Sequence, residues 1–465
     1  MDGTALSGEG AGASSWPDHV KATILLGLPL IGAQLAQLAL NVVNTVVLGR
    51  LGPDELAAAV LGWQVFFVIW MFGSGFGFAI MPLAANAIGA RDPRGLRRFV
   101  RMGLWIGFAY ALLMTPLLWR AEAIFLALGQ DPRISALAAE YVRALQWSLF
   151  PQLAIIALRS FLGALERPGI VLLALTLGGG LNLLLNLLLV FGGFGIPAMG
   201  MAGAGLSTFL ATSCVALFLA AYGAWTPSLR VHAVFGRFLK PDAAALKDVF
   251  RLGWPIGITV VAEVALFSAT AVMMGWVGPR ELAAHGVALQ YSGLAFMIPL
   301  GLSAAATIRV GRAHGRGDPE GVARAASAAM AIGLAFACLS ALTFLTIPGV
   351  LAGLYLDLDS AEGAAVAPFV AGFLAVAAVF QIVDSAQGLS SGALRGLKDA
   401  RTPMLIALAS YWGLGAPAAY LLAFPLGWGG IGIWWGLAMG LTAAALLMTL
   451  RLVLQIRRLP ARRGL

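Results

Sequence analysis

Twelve apolar stretches, each long enough to cross a bilayer as a helix, recur along this 465-residue chain and leave little else for it to fold into. They run over residues 22–48, 56–82, 99–119, 136–158, 170–192 and 200–224, then 252–276, 283–306, 326–348, 364–392, 404–424 and 430–452. Crossing the hydrocarbon core takes about 20 apolar residues, and a helix satisfies its own backbone hydrogen bonds on the way. The expected fold is an all-α polytopic membrane protein of twelve transmembrane helices. Composition agrees: 11% of residues are charged, against roughly a quarter in a soluble domain.

The net charge of +9 does not point to nucleic acid, because Lys and Arg lie between apolar runs rather than along one polar face. Of 30 such residues, Arg50, Arg120, Arg133, Arg143 and Arg280 fall on the side opposite the N-terminus, and the other 25 in the tails and even-numbered loops. Cytoplasmic loops keep positive charge, so both termini are expected in the cytoplasm. Residues 1–21 lack the basic start of a secretory signal and are expected as a cytoplasmic tail, with a basic tail at 453–465. The longest polar stretch, 225–251, contains Pro227 and Pro241 and is expected to link an N-terminal lobe (22–224) to a C-terminal lobe (252–452). Cys214 and Cys338 stand alone in apolar runs, a pattern of neither disulfide nor metal pair.

The division into lobes rests on an internal repeat. Shifted by 226 residues, 27–95 aligns with 253–321 without a gap, and 22 of 69 positions are identical. Gly27, Pro29, Gly52, Pro53, Glu55 and Gln64 fall on Gly253, Pro255, Gly278, Pro279, Glu281 and Gln290, and Asp92-Pro93 falls on Asp318-Pro319. Each half holds six spans, an even number, so both insert in one orientation. The two six-helix bundles should be related by a pseudo-two-fold axis along the membrane normal, with a cavity between them.

Two acids fall well inside spans, Glu263 on the seventh and Asp384 on the tenth. An intramembrane acid needs a partner or a wet cavity. Thr259, Glu263 and Thr270 share one helical face, as do Gln381, Asp384, Gly388 and Ser391. Such oxygen-bearing stripes suit a hard monovalent cation or a proton, and they lack the His and Cys of a transition-metal site. The N-terminal half carries amides instead: Gln34, Gln37, Asn41 and Asn44 on the first span, Asn182 and Asn186 on the fifth. Gln37 falls on Glu263 in the repeat. These amides could line a cavity for polar substrate groups; amide-mediated helix packing would give the same pattern. Phe267, Tyr291, Tyr411 and Trp412 either face a cavity, where they could stack on a cation, or face lipid. Pro29, Pro82, Pro255, Pro299 and Pro417 are expected to bend their helices, and His285 to pack near a helix end.

The segments Gly49-Arg50-Leu51-Gly52 with Glu55-Leu56-Ala57-Ala58, and Glu281-Leu282-Ala283-Ala284-His285, resemble the multidrug and toxic compound extrusion (MATE) family. So do Arg309-Val310-Gly311 and Gly392-Ala393-Leu394-Arg395-Gly396 with Asp399, and the likeness spans roughly 22–455, nearest the NorM-like bacterial branch. The resemblance implies a transporter rather than an enzyme. It would be a multidrug efflux antiporter of the bacterial inner membrane, exporting small organic cations in exchange for Na+ or H+ by alternating access of two lobes. It further implies no cofactor, no nucleic-acid partner, a lipid environment and a monomer. Glu263 and Asp384 match the acids that branch uses for cation coupling, and Asn182 and Asn186 match polar positions of the N-terminal lobe. Asn44 departs from the Asp many members carry there, so a titrating group is missing from the first span. A lipid-linked oligosaccharide flippase on a related frame is the alternative. It would need a basic cavity for pyrophosphate, whereas the charges expected inside the spans are acidic.

Overall fold

The computed structural model describes residues 15–460, apart from 194, 231, 237 and 239 and the side chain of Asn41. Residues 1–14 and 461–465 of the expected tails, and the expected cavity contact of Asn41, therefore lie outside the described residues. Twelve helices long and apolar enough to span a membrane are present among them. In the N-terminal half these are α1 (Trp16–Gly49), α2 (Pro53–Gly89), α3 (Pro93–Trp119), α4 (Pro132–Ala164), α5 (Pro168–Phe191) and α6 (Gly200–Trp225). The C-terminal half contains α7 (Ala243–Val277), α8 (Pro279–Gly315), α9 (Pro319–Thr346), α10 (Ala361–Gly396), α11 (Arg401–Ala423) and α12 (Gly429–Arg458). At 1.5 Å per residue, the 37 residues of α2 and of α8 exceed the ~30 Å hydrocarbon core, so their ends stand in the headgroup region or beyond.

Helix starts are written in the repeat. Asp92 and Asp318 cap α3 and α9 by accepting from Gly95 N (2.9 Å) and Gly321 N (3.0 Å), and Pro93 and Pro319 occupy the first turn. The turns before them carry a left-handed residue at Arg91 and at its repeat counterpart Gly317; glycine adopts that backbone without the Cβ clash that arginine bears.

The chain between the lobes is shorter than expected. α7 begins at Ala243 rather than 252, capped by Asp242, which accepts from Ala245 N at 3.1 Å. The polar residues up to Arg251 thus form the first turns of a helix. Only 226–242 connects the lobes, with a short helix over Pro227–Arg230.

Packing between the lobes obeys the pseudo-two-fold relation. α1 crosses α8, α2 crosses α7, and α2 meets α8 near the axis. Backbones come together where side chains vanish. A Cβ on Gly75 would lie 2.4 Å from Gly257 N, and one on its repeat partner Gly301 would lie 2.8 Å from Ile31 Cα. Closer to the end that carries the 226–242 connection, Gly89 meets the Arg312 carbonyl and its partner Gly315 meets the Asn86 carbonyl, each at 2.2 Å from such a Cβ. Polar ties gather at this end too. Asn86 Nδ2 donates to the Gly396 carbonyl (2.9 Å), and Arg312 donates to the Ala164 carbonyl (2.8 Å) and pairs with Glu166. Arg309 donates to Thr23 and to the His19 carbonyl.

Toward the opposite end the lobes part. The face of α2 that meets α7 at Gly75 continues through Val68, Gln64 and Val60, which are exposed, as are the repeat partners Leu294, Gln290 and Gly286 on α8. The cleft is therefore closed at the connection-bearing end and opens at the other.

Candidate ion and substrate sites

The C-terminal lobe brings the two acids to one level. Phe267, one turn beyond Glu263, and Phe380, one turn before Asp384, meet edge to face with centroids 6.1 Å apart. Because α7 and α10 run in opposite directions, this contact lies on the open-end side of both acids. Glu263 is half-buried and Asp384 is buried, and each is close enough to feel the other's charge. Arg395, farther along α10, is within electrostatic reach of Glu263 and donates to Ser391 at 3.0 Å.

A third helix completes this cluster. α11 is wound as a π-helix over Ala409–Gly415, which carries Tyr411 inward beside the acids. Pro417 has no amide to bond the Gly413 carbonyl, so the regular ladder fails here and one wider turn replaces it. The Trp412 indole then turns back to donate to the Ala262 carbonyl at 3.2 Å, next to Glu263. Tyr411 Oη, Asp384 Oδ1 and both polar atoms of Gln381 are buried without a hydrogen-bond partner in the protein. Buried polar atoms are nearly always paired, so orphans clustered around two carboxylates mark a place built for something else to bind. Among the described residues no group of three His, Cys, Asp or Glu could hold a metal by itself. The oxygens here come from two carboxylates, a phenol and an amide.

The N-terminal lobe repeats the frame without the charge. The turns after α4 and α10 share a left-handed residue, Glu166 and Lys398, a shift of 232 residues. That register lays Gln152 on Asp384, as the earlier repeat laid Gln37 on Glu263. Both acid positions are glutamine in this lobe, and Gln152 bonds Ser148 Oγ at 2.9 Å. Sequence periodicity missed Gln152 because the repeat slips by six residues between α2 and α4.

The expected amide stripe separates into two groups. Asn182 and Asn186 are 2% and 1% exposed and are committed to packing. Asn186 Nδ2 donates to Asn44 Oδ1 (2.7 Å) and Asn182 Oδ1 (3.1 Å), and Ser207 donates to Asn186 Oδ1 (2.7 Å). Buried amides pair to avoid the cost of stripped polar atoms, so this network ties α1, α5 and α6 instead of lining the cleft. Asn44 alone also borders a cavity of about 110 Å³ with Gln64, Trp63 and Tyr141. Gln34 and Gln37 remain half-buried, and Gln34 accepts from Arg159 at 3.1 Å.

The aromatics divide as well. Tyr291 does not reach the cleft: its hydroxyl donates to the Leu351 carbonyl and its ring packs on Tyr355, fastening the short helix Pro348–Gly353 to α8. Phe267 closes the acid level. Trp412 lines an apolar groove with Phe72, Ile258 and Val261 where the lobes meet. His285 is buried against Trp434, as expected of a packing residue. The expectation that charges inside the spans are acidic needs correction, because Arg159 and Arg395 also lie within α4 and α10.

The profile of the MatE family matches residues 29–188 and 255–421, one stretch in each lobe. The chain is 45% identical to a probable multidrug resistance protein NorM of Rhizobium meliloti (strain 1021) over 448 residues, covering 96% of both. A protein of the same name in Pseudomonas aeruginosa is 40% identical over 432 residues, covering 93% of this chain and 88% of that one. Two solved folds superpose closely. The eukaryotic MATE transporter AtDTX14 gives a TM-score of 0.84 at 22% identity, over 95% of this chain and 98% of that one. The outward-facing conformation of a multidrug resistance MATE family transporter gives 0.85 at 23%, over 95% and 96%. This chain belongs to the MatE family and is a multi-pass membrane transporter.

Proposed function

We propose that this protein is a multidrug efflux antiporter of the bacterial inner membrane, exporting cationic amphipathic compounds in exchange for Na+ or H+. The observation that carries this is the C-terminal cluster: Glu263 and Asp384 at one level, ringed by the unpaired polar atoms of Gln381 and Tyr411. Arg395, three turns beyond Asp384 and within electrostatic reach of Glu263, adds one positive charge, so two carboxylates and one guanidinium leave one formal negative charge. An unbalanced charge in a low-dielectric interior is costly, and one monovalent cation or proton removes it. A cationic substrate competes for the same charge, so the lobe holds either the coupling ion or the substrate's amine. That competition converts an ion gradient into export, with ~2.3 kcal/mol available per charge per 100 mV.

The basic asymmetry of the loops supports a cytoplasmic position for both termini and the 226–242 connection, and on that reading the cleft described here opens outward. Ion entry from outside and substrate entry from inside then require the lobes to rock about the pseudo-two-fold axis. The flippase alternative has Arg159 in its favour, but a pyrophosphate needs several cations on the cleft wall, and the acids of the C-terminal lobe would repel it.

Glu263→Gln and Asp384→Asn test the assignment in proteoliposomes loaded with a fluorescent organic cation. Each should abolish gradient-driven transport while leaving membrane insertion intact, since an amide is easier to bury than an unpaired carboxylate. Wild-type rates in both variants would place the coupling site elsewhere.

A further inference from the structure

Packing against Trp434 accounts for the ring of His285 but not for its nitrogens. His285 is 1% exposed, and neither Nδ1 nor Nε2 has a hydrogen-bond partner in the protein. Trp434 Nε1 beside it, and Ser292 Oγ two turns farther along α8, are buried and unpartnered as well. The other such atoms among the described residues of this lobe belong to Gln381, Asp384 and Tyr411 of the acid cluster. Helix register joins the two groups. α8 and α10 run in the same direction, and Ser303 and Thr307 donate to the carbonyls of Gly388 and Gly392, an offset of 85 residues. Ser292 and His285 lie eleven and eighteen residues before Ser303, whole turns away, so they share the face that meets α10. The same offset sets His285 level with Val370 and Ser292 level with Ala377, with Gln381 and Asp384 one and two turns farther in. One line of unpaired polar atoms therefore descends between α8 and α10, from less than two turns inside the open end down to the acids.

The N-terminal lobe fills the same line with hydrocarbon. His285 and Ser292 fall on Ala59 and Phe66 in the repeat, and Gln381 falls on Leu149 in the register that lays Gln152 on Asp384; all three are buried. A lobe without acids has an apolar core where the lobe with acids keeps polar atoms, and keeping them unpaired is costly. Charges near the outer end of the line are few. Glu281 lies one turn from His285 on α8, Glu362 at the start of α10 pairs with Arg280, and Asp357 and Asp359 stand in the loop before it. The open-end halves of α9 and α12 and the short helix Pro348–Gly353 have no charged residue, and the first one met along α7 from that end is Glu263.

We infer that His285, Ser292 and Gln381 form a proton route through the C-terminal lobe, by which the coupling proton reaches Asp384 without crossing the substrate cleft. The inference rests on the efflux function proposed above and deepens it. His285 takes a proton from hydronium at the open end on one ring nitrogen and releases the proton held on the other. That proton passes along bridging water and the Ser292 hydroxyl to the Asp384 carboxylate, and exchange of the N–H between the two ring nitrogens restores the imidazole. Only N–H and O–H bonds form and break, and the acid cluster loses one negative charge. A metal cation would need oxygen ligands along the way, which an imidazole and an indole N–H do not offer. Substrate and proton then arrive by separate paths, so a bulky compound in the cleft does not block the proton that displaces it.

Export of a fluorescent organic cation from proteoliposomes, driven by a proton gradient alone and by a Na+ gradient alone, tests this in wild type, His285→Gln and Ser292→Ala. Binding of the same cation to each purified protein is measured by equilibrium dialysis. Each variant should slow proton-driven export by about tenfold or more, the scale of a positioned proton carrier, with binding unchanged. A wild-type rate in either variant overturns the route. Loss of cation binding together with transport also overturns it, since both residues would then only hold the lobe together. Hydroxyl-radical footprinting of wild type needs no variant to fold. Radicals form from water held beside a side chain, so His285 and Trp434 should be oxidised despite their burial, while Phe66, equally buried at the repeat position of Ser292, is spared. Absence of oxidation at both His285 and Trp434 overturns the route. If a Na+ gradient drives wild type and a proton gradient does not, the route fails and the efflux function stands. If neither gradient drives it, the efflux function itself fails, and the route with it.

Discussion

Asn44 accepts from Asn186, and Asn186 reaches Asn182 and Ser207 in turn, so the fate of one amide is set by three residues on two other helices. Nothing in the spacing along α1 distinguishes an amide that faces a cleft from one that pairs inside a lobe. Asn44→Ala removes one neutral hydrogen bond and leaves Asn186 its contact to Asn182, at a cost of about 0.5–1.5 kcal/mol. The expected outcome is a lower unfolding temperature with drug affinity changed by less than about twofold. A tenfold loss of affinity at unchanged stability would return Asn44 to the substrate surface. Glu263 and Asp384 were legible because an acid in an apolar run has few uses. Arg159 was not, because it closes an apolar run and resembles a loop charge until α4 is seen to continue to Ala164. Tyr291 depends on a carbonyl 60 residues away, which no local pattern reveals.

Elements were legible where periodicity is strong and blurred where polar residues begin a helix. The first turns of α7 carry Lys247, Asp248 and Arg251, which look like loop until Asp242 is recognised as the cap. The same aspartate holds the connection to α3, paired with Arg98 through two contacts, one of them 2.9 Å. The Arg98 guanidinium pulls the Asp242 carboxyl down to about 2. A depressed carboxyl contributes stability above its unfolded value and loses it only as pH falls through the folded one. This tie is therefore complete throughout the range in which the transporter works. Asp242→Asn keeps a good cap but removes the charge. It should lower the unfolding temperature equally at about pH 5 and about pH 8. A deficit confined to one of these pH values would show that the pair titrates in the working range. The π-helix of α11 had one visible cause, Pro417, but a proline announces a lost hydrogen bond and not how the chain recovers it.

At the scale of the whole molecule, the duplication was readable because Pro, Gln and Asp recur in one register. The closed end was not, since both states of a two-lobed transporter must be written in one sequence. What marks it is contact between backbones at Gly89 and Gly315. A methyl group at Gly315 would stand 2.2 Å from the Asn86 carbonyl and force α2 from α8. Gly315→Ala should therefore favour the state open at the connection-bearing end. Ala85→Cys, buried in this contact, should react faster with a small maleimide when Gly315→Ala is added. Unchanged labelling would mean that the two helices do not separate there. The central claim is that an ion gradient, acting through the C-terminal acids, drives export. Purified wild-type protein in liposomes, given a Na+ gradient alone and then a proton gradient alone, tests it most directly. At least one gradient should drive an organic cation against its own concentration difference, and collapsing that gradient with an ionophore should stop it. Movement of the cation at the same rate with both gradients collapsed would contradict the claim.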